Sequence, residues 1–337
     1  MIKILIDTLG GDNSPAANVE GALRAVKEFD DLTVVFVGKT EENKALIPAG
    51  TDMSRIEFID APDEISCNDK PTEAIRSRTE SSLYKCFESL RSDADALVTA
   101  GSTGATLAGA VLKLGRVRGI KRPAFCPILP TMNGGIVAIC DSGANAECDP
   151  VYLHQFALMG DLYLKKAYGI ENPKVALLNI GTEEEKGDTL RKETYALLKN
   201  ESAINFVGNM ESRDLLSGNY DLVVCDGFAG NVLIKSTEGA CLELLKVLKK
   251  TFTKNLKTKM GALILKKDIY ALKDMMDYNN YGGAVLLGAK KTIVKSHGSS
   301  KATAIYMSVK KAYEMERNGL ISAISEAAAT FTETANN

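Results

Sequence analysis

Lys186, Asn231 and Lys235 share one kind of setting. Each follows a short apolar run that stops at a tight cluster of Gly, Asn, Asp or Thr. Val175–Ile180 runs into Asn179-Ile-Gly181-Thr-Glu-Glu-Glu-Lys186-Gly187, and Leu222–Cys225 into Asp226-Gly227-Phe-Ala-Gly230-Asn231, with Lys235 one turn further on. Ile4–Ile6 ends likewise in Asp7-Thr-Leu-Gly10-Gly11-Asp12, and Leu97–Thr99 in Ala100-Gly101-Ser102-Thr103-Gly104. Helical patterns follow. A parallel sheet places its strand C-termini on one edge, where open α/β sheets bind ligands. Helix N-termini there carry unpaired N–H groups and a partial positive charge, which favour phosphate. Two lysines and an asparagine at such an edge strengthen the case for an anion, although a lysine is most often part of a solvated face. The chain reads as an enzyme that handles an anion.

Other chemistries fare less well. Neither GxGxxG nor GxxxxGK[ST] occurs, so dinucleotide and P-loop readings lose their main support. No GxSxG elbow is present. A Cys–His nucleophile stays open, with Cys140, Cys148 and Cys225 in or beside the motifs and His154 and His297 available. Core filling by small thiols is the stronger reading. Asp7, Asp12, Asp141 and Asp226 fall at strand ends beside the run Glu183–Glu185 and could together hold Mg²⁺. Capping of the following helices and bonding of loop amides is preferred, so no metal site is expected.

The elements that must position these residues alternate between β-like runs and helical periodicity, which indicates βαβ units. Strands are expected at 2–7, 33–37, 56–60, 96–100, 136–140, 174–180, 204–207, 221–225 and 292–295. Helices are expected at Ala16–Phe29, Pro71–Leu90, Thr189–Lys199 and Lys301–Arg317. The 337 residues suit about two domains or one large α/β domain with an excursion, and no clean boundary is visible. We expect a single domain over 1–337 with a helical excursion at about 229–275. The compositional break is Lys246–Lys273, with nine lysines against one acid, Asp268, and it reads as two helices joined near Met260-Gly261.

Composition is ordinary for a globular protein, with 45% hydrophobic and 25% charged residues. A net charge of −2 and the absence of Trp argue against nucleic acid. Seven cysteines, an odd number without paired spacing, suit a reducing compartment. With no CxxC and two histidines, zinc is not expected. The chain enters a strand at once and has no apolar run of membrane-spanning length, so a cytoplasmic location is expected.

Taken in order, the motifs resemble one family. They include Asp7-Thr-Leu-Gly-Gly-Asp12, Arg122-Pro123, Leu129-Pro130-Thr131, Asp141-Ser-Gly143-Ala-Asn145, Gln155-Phe156-Ala157-Leu-Met159-Gly160, Leu177-Leu178-Asn179-Ile-Gly181, Tyr281-Gly-Gly-Ala284 and His297-Gly-Ser-Ser300. The chain resembles, over almost its whole length, the acyl-carrier-protein:phosphate acyltransferases of bacterial phospholipid synthesis. It departs from that pattern at Asn13, usually His, at Ser102, usually Asn, and at Ala229, usually Thr. Asn13 puts a catalytic histidine at that point in doubt, whereas Ser102 keeps a hydrogen-bonding side chain.

The resemblance implies a fold, a reaction and an assembly. The fold would be a three-layer α/β/α core with a mostly parallel sheet, like that of phosphate acetyltransferases and isocitrate-type dehydrogenases, forming a homodimer with helices packed at the cleft. Inorganic phosphate would attack the thioester of a long-chain acyl group carried on acyl carrier protein, giving acyl phosphate without any cofactor. Such an enzyme must hold, dry and aim the phosphate. It must also stabilise a tetrahedral oxyanion, where one hydrogen bond contributes roughly 3–4 kcal/mol. In this reading the helix N-termini after Gly10-Gly11 and at Ser102, Thr103 and Gly104, with Arg76 or Arg78, hold phosphate, and Asp7 and Asp12 belong to the substrate site. Asn145, Asn179, Gly181, Asp226, Gly227 and Lys235 complete the substrate site. Lys186 neutralises charge and Asn231 donates to the oxyanion or phosphate. His297 could move a proton, but a structural role is the commoner one for a histidine lacking a visible orienting partner.

Two other classes stay open: a phosphate acetyltransferase-like enzyme using acyl-CoA, and a non-catalytic regulator binding an acyl or phosphorylated ligand. Met260, Ala262, Leu263, Ile264 and Leu265, flanked by Lys257, Lys259, Lys266 and Lys267, form an apolar patch between lysines. That pattern suits weak contact with anionic membrane, or burial in the dimer.

Overall fold

The computed structural model describes residues 1–275 and 281–334. Along β1 (Ile2–Asp7), Ile4 and Ile6 enter one buried cluster while Leu5 enters another. β2 (Leu32–Gly38) repeats this, with Val34 and Phe36 on one face and Val35 and Val37 on the other. A strand buried on both faces reads as a continuous apolar run, as expected for parallel strands covered by helices. β3 (Ile56–Asp60) pairs parallel to β2, β4 (Ala96–Thr99) to β1, and β12 (Thr292–Lys295) to β4. The antiparallel β11 (Ala284–Leu287) and then β5 (Ala124–Cys126) complete a seven-stranded sheet ordered β3–β2–β1–β4–β12–β11–β5.

The remaining strands form a second sheet of five, ordered β6–β7–β10–β8–β9. They are β6 (Ile128–Pro130), β7 (Ile136–Cys140), β8 (Lys174–Asn179), β9 (Asn205–Glu211) and β10 (Leu222–Val224). All pair parallel except β6, an edge strand that ends in proline, a residue tolerated at edges because it cannot donate to a ladder. β5, β6 and β11, at three or four residues each, escape the sequence reading because so few positions show no period. Strand C-termini therefore gather on two sheet edges rather than one.

A single buried cluster runs beneath both sheets. It takes Ile4, Val34 and Val98 from the first, Cys140, Leu177 and Val224 from the second, and side chains of α1 (Ala16–Glu28), α6 (Pro150–Tyr168), α11 (Ala302–Arg317) and α12 (Leu320–Thr334). Beyond the first sheet lie α3 (Pro71–Ser77), α4 (Ser82–Ser92) and α5 (Thr103–Gly109); α2 (Thr40–Ala45) sits at β2 and β3. Beyond the second, Leu233 of α8 (Gly227–Phe252) joins Val137, Ala176 and Val223. This is the layered α/β architecture expected, with α7 (Thr189–Lys199) against α6.

Two helix expectations need correction. The span Pro71–Leu90 is two helices, because Arg78 leaves the helical region and Ser81 caps α4 by accepting from Tyr84 N at 3.3 Å. The lysine-rich stretch holds the end of α8 and two short helices, α9 (Leu256–Ile264) and α10 (Lys266–Met275). Its first break is at Thr253–Asn255, where Asn255 and Thr258 form a reciprocal capping box, and Met260 and Gly261 lie inside α9. Among the described residues no helix is long and apolar enough to cross a membrane.

Candidate active site

Three loops at the C-terminal edge of the first sheet interlock. Asp7, buried at the end of β1, accepts from Ser82 Oγ at 2.6 Å and Thr99 Oγ1 at 2.7 Å. A Cβ on Gly10 would lie 2.5 Å from Gly101 N, so only glycine lets these two loops meet. Asp12 N donates to Gly298 O at 2.8 Å, beside Gly11. Asn13 Nδ2 donates to the carbonyls of Ser299 and Ser300 at 3.0 and 3.3 Å, so it clamps the His297–Ser300 loop. Ser102 is buried and caps α5 through Ala105 N, while Thr103 is exposed and Gly104 packs on Pro71. Arg78 does not face these loops with a free guanidinium: it holds Asp63 at 2.7 Å and Asp69 at 2.6 Å, while Arg76 is exposed.

A second gathering lies at the edge of the second sheet. Asp141 is fully buried and accepts from the backbone amides of Phe125, Gly143, Ala144 and Asn145 and from Asn145 Nδ2. Burial pushes its carboxyl above the usual range and these bonds oppose that shift. Gly227 N donates to Asn145 O at 2.7 Å. A Cβ on Gly230 would lie 1.9 Å from Asp141 O, so the start of α8 can sit against the 141–145 loop only with glycine there. Asp226 caps α8 through Ala229 N at 2.9 Å and pairs with Arg191, which also holds Asp188 at 3.0 Å. Asn179 Nδ2 donates to Lys186 O at 3.0 Å and Ile180 N donates to Asn179 Oδ1 at 2.8 Å. The Lys186 stem passes beside Gly181, leaving an exposed lysine on a loop pinned at its base.

α8 joins the two gatherings. Asn231, Lys235 and Glu238 stand four and three residues apart, so they share one helix face. Asn231 Nδ2 donates to Ser142 O at 3.1 Å. Burial raises the Glu238 carboxyl, and the charges of His297 and Lys235 oppose that rise. His297 belongs to the first sheet, and its Nδ1 accepts from Ser299 N at 3.2 Å. A backbone N–H can only donate, so the neutral ring carries its proton on Nε2.

Several side chains here were passed over in the sequence. Glu238 supplies the charged neighbour of His297 that no motif revealed, and helical spacing from Asn231 was the available signal. Lys295, on β12 opposite Thr99, is buried and donates to Ser296 O. Burial lowers its ammonium to about 8 against the opposing pull of Cys67, Asp7 and Asp12. Arg191, in the first turn of α7, joins Asp188 to Asp226. Cys225 is fully buried with its thiol pushed up by burial, and Cys148 is pushed up to about 12. Neither is a ready thiolate nucleophile.

A family model described as "Fatty acid synthesis protein" matches residues 2–323. A phosphate acyltransferase of Bacillus cereus (strain B4264) is 44% identical over 325 residues, covering 96% of this chain and 97% of the relative. The chain belongs to that family. It is an acyltransferase enzyme of lipid and fatty acid biosynthesis. Solved structures agree on the fold. A phosphotransacetylase from Streptococcus pyogenes superposes with a TM-score of 0.57 at 16% identity over 94% of each chain. A branched-chain phosphotransacylase from Enterococcus faecalis V583 gives 0.53 at 14% identity, over 94% of this chain and 100% of that one.

Proposed function

We propose that this enzyme transfers a long-chain acyl group from acyl carrier protein to inorganic phosphate, giving acyl phosphate and the free carrier thiol. The observation that carries the reading is the face of α8, on which Asn231 bonds the 141–145 loop through Ser142 O and Lys235 and Glu238 follow at helical spacing. A phosphate oxygen attacks the thioester carbon, and the carbonyl oxygen becomes an oxyanion. On collapse the C–S bond breaks, and the proton carried by the attacking phosphate ends on the carrier sulfur. Phosphate is already a nucleophile, so no side chain has to activate it covalently. Lys186 and Lys235 neutralise the anion, and the second N–H of Asn231 serves the oxyanion while the first is held by Ser142 O. The Nε2–H of His297 donates a hydrogen bond to the departing sulfur and keeps its proton, while the proton of the attacking phosphate completes the carrier thiol. Asp7, Gly10 and Gly11 act by fixing the loop that carries Asp12 beside Gly298.

The phosphotransacetylase-like fold supports a second reading, with acyl-CoA as donor. The two separate cleanly. Purified protein is incubated with phosphate and either hexadecanoyl carrier protein or acetyl-CoA, without ATP or nicotinamide, and acyl phosphate is trapped with hydroxylamine. Comparable or better use of acetyl-CoA would overturn the carrier-protein assignment. No turnover with either would leave a ligand-binding regulator.

Two features of assembly belong to the same proposal. α8 leaves Phe228, Val232, Leu244 and Val247 exposed, which supports pairing with a second copy. At α9, Met260, Leu263 and Ile264 are 61%, 71% and 82% exposed between lysines, a pattern that supports weak, reversible contact with anionic membrane.

A further inference from the structure

We infer that the acyl chain of the substrate lies in an apolar slot that begins at Glu238 and runs along the rest of α8; this rests on the acyl transfer proposed above. The face of α8 bearing Asn231, Lys235 and Glu238 continues through Cys241, Leu242 and Leu245 at helical spacing. Its chemistry changes at Glu238. Before that residue the stripe can bind an anion, and after it the stripe is apolar. Most amphipathic helices divide around their circumference. This one divides along its axis, which fits a ligand with a charged reacting end and an alkyl tail.

The slot has an opposite wall. Leu129, Met132 and Leu216, from β6, the turn after it and the segment before β10, face Cys241, Leu242 and Leu245 across about 540 Å³ of space counted out to its mouth. Apart from Thr131, Thr237 and Glu238 its lining is apolar, which suits an alkyl chain. Met132 is 56% and Leu242 48% exposed, apolar area that a bound chain would cover. From Glu238 to Leu245 the track is about 10 Å long at 1.5 Å per residue. Glu238 lines the slot and stands one turn beyond Lys235 on the same face of α8, so the slot continues the face that carries the proposed anion-binding residues. Burial of methylenes there stabilises long-chain substrates in proportion to the area covered.

The test fills the slot. Cys241→Trp and, separately, Leu245→Trp are assayed with hexadecanoyl and butanoyl carrier protein, with thermal melts to confirm folding. The expected result is a loss of at least about tenfold in kcat/KM for the long chain, with the short chain changed by no more than about twofold. Equal loss on both donors, or no change on either, overturns the slot. A second readout does not depend on turnover. In a Cys67→Ser background, alkylation of Cys241 is timed with hexadecyl phosphate, with inorganic phosphate and with neither. Slowing by the alkyl compound alone is expected. Slowing that follows protein concentration instead would assign the face to a second copy and end the proposal. If Cys241 is protected but no donor yields acyl phosphate, the alkyl slot stands and the reaction proposed for it fails.

Discussion

Asn231 donates its side-chain amide to the carbonyl of Ser142 at 3.1 Å, tying the first turn of α8 to the loop that follows β7. One N–H of the amide is thereby fixed, and the plane of the other is fixed with it. An oxyanion donor works because it needs no reorganisation when charge develops. A half-buried asparagine held by a backbone acceptor, on a long helix, meets that requirement better than one on a free loop.

Replacing Asn231 by Ala should therefore separate activity from stability. Acyl phosphate formation should fall by on the order of a hundredfold or more. Unfolding free energy should fall by about 1 kcal/mol, the net worth of one hydrogen bond. Lys186→Ala should lower activity strongly and change stability by less than about 0.5 kcal/mol, since its side chain is exposed. Steady-state rates beside urea melts check both. A loss of activity matched by a loss of structure would remove either residue from the chemistry.

Cys225 lies against the same loop but should be dispensable for turnover. Its Sγ is buried 3.3 Å from Asp141 O, and burial holds it as the thiol. Cys225→Ala should keep most activity, with a stability cost of about 1–2 kcal/mol from the small cavity. Intact-protein mass spectrometry during turnover should find no acyl-enzyme. An inactive Cys225→Ala variant, with an acylated wild-type protein, would replace direct attack by phosphate with a covalent route.

Strands with period or continuous apolar runs were legible in the sequence: β1, β2, β3, β4, β7, β8, β10 and β12 lie within a residue or so of where their patterns put them. β5, β6 and β11 were not, because three or four residues such as Ala124–Cys126 carry no period; β10, equally short, showed because its apolar run continues to Cys225. The division into two sheets was also hidden, since nothing local marks which parallel strands pair. The strand-end motifs prove to hold backbone together: Asp226 caps α8, Gly230 allows a close approach to Asp141 O, and Asn231 bonds Ser142 O. Charge partners were the weak point. Of Arg76 and Arg78, the two arginines offered for phosphate, Arg78 pairs with Asp63 and Asp69, fifteen and nine residues away, partners that no local pattern announced. Glu238 was invisible because its relation to His297 is purely tertiary.

At α9 the exposed Leu263 and Ile264 sit between Lys257, Lys259, Lys266 and Lys267. Each lysine near an anionic surface contributes roughly 1 kcal/mol. Leu263→Glu should lose co-sedimentation with anionic vesicles while keeping its activity on carrier-protein thioester in solution. Wild-type protein should bind anionic vesicles in preference to neutral ones, and more weakly as salt rises. Equal binding to both lipids, or an unaltered mutant, would assign the patch to the dimer. A shift of the mutant to monomer by light scattering would say the same.

Lys311, on α11, should leave a signature in the pH dependence of stability. It is buried and donates to Gly283 O at 2.9 Å. Burial pushes its ammonium down to about 7, with Cys126 and Glu314 opposing. The unfolded chain keeps an ordinary lysine near about 10.4. Between these values the unfolded state binds more protons, so this residue makes stability rise with pH. Below about 7 both states are protonated and the full penalty of a buried charge is present; above about 10.4 neither is, and the penalty is gone. The ceiling is about 5 kcal/mol at 1.36 kcal/mol per pH unit. Buried thiols such as Cys86, Cys140 and Cys225, held above their ordinary value, act in the opposite sense from about pH 8.5 upward. They are present in any variant at position 311 and cancel in a difference. Lys311→Met also leaves Gly283 O without its donor, a cost that does not change with pH. The unfolding free energy of wild type minus that of Lys311→Met, from urea melts between pH 7 and 10, should therefore climb steadily. A flat difference would mean that Lys311 stays charged in the folded protein, with α11 open enough at that point to hydrate it.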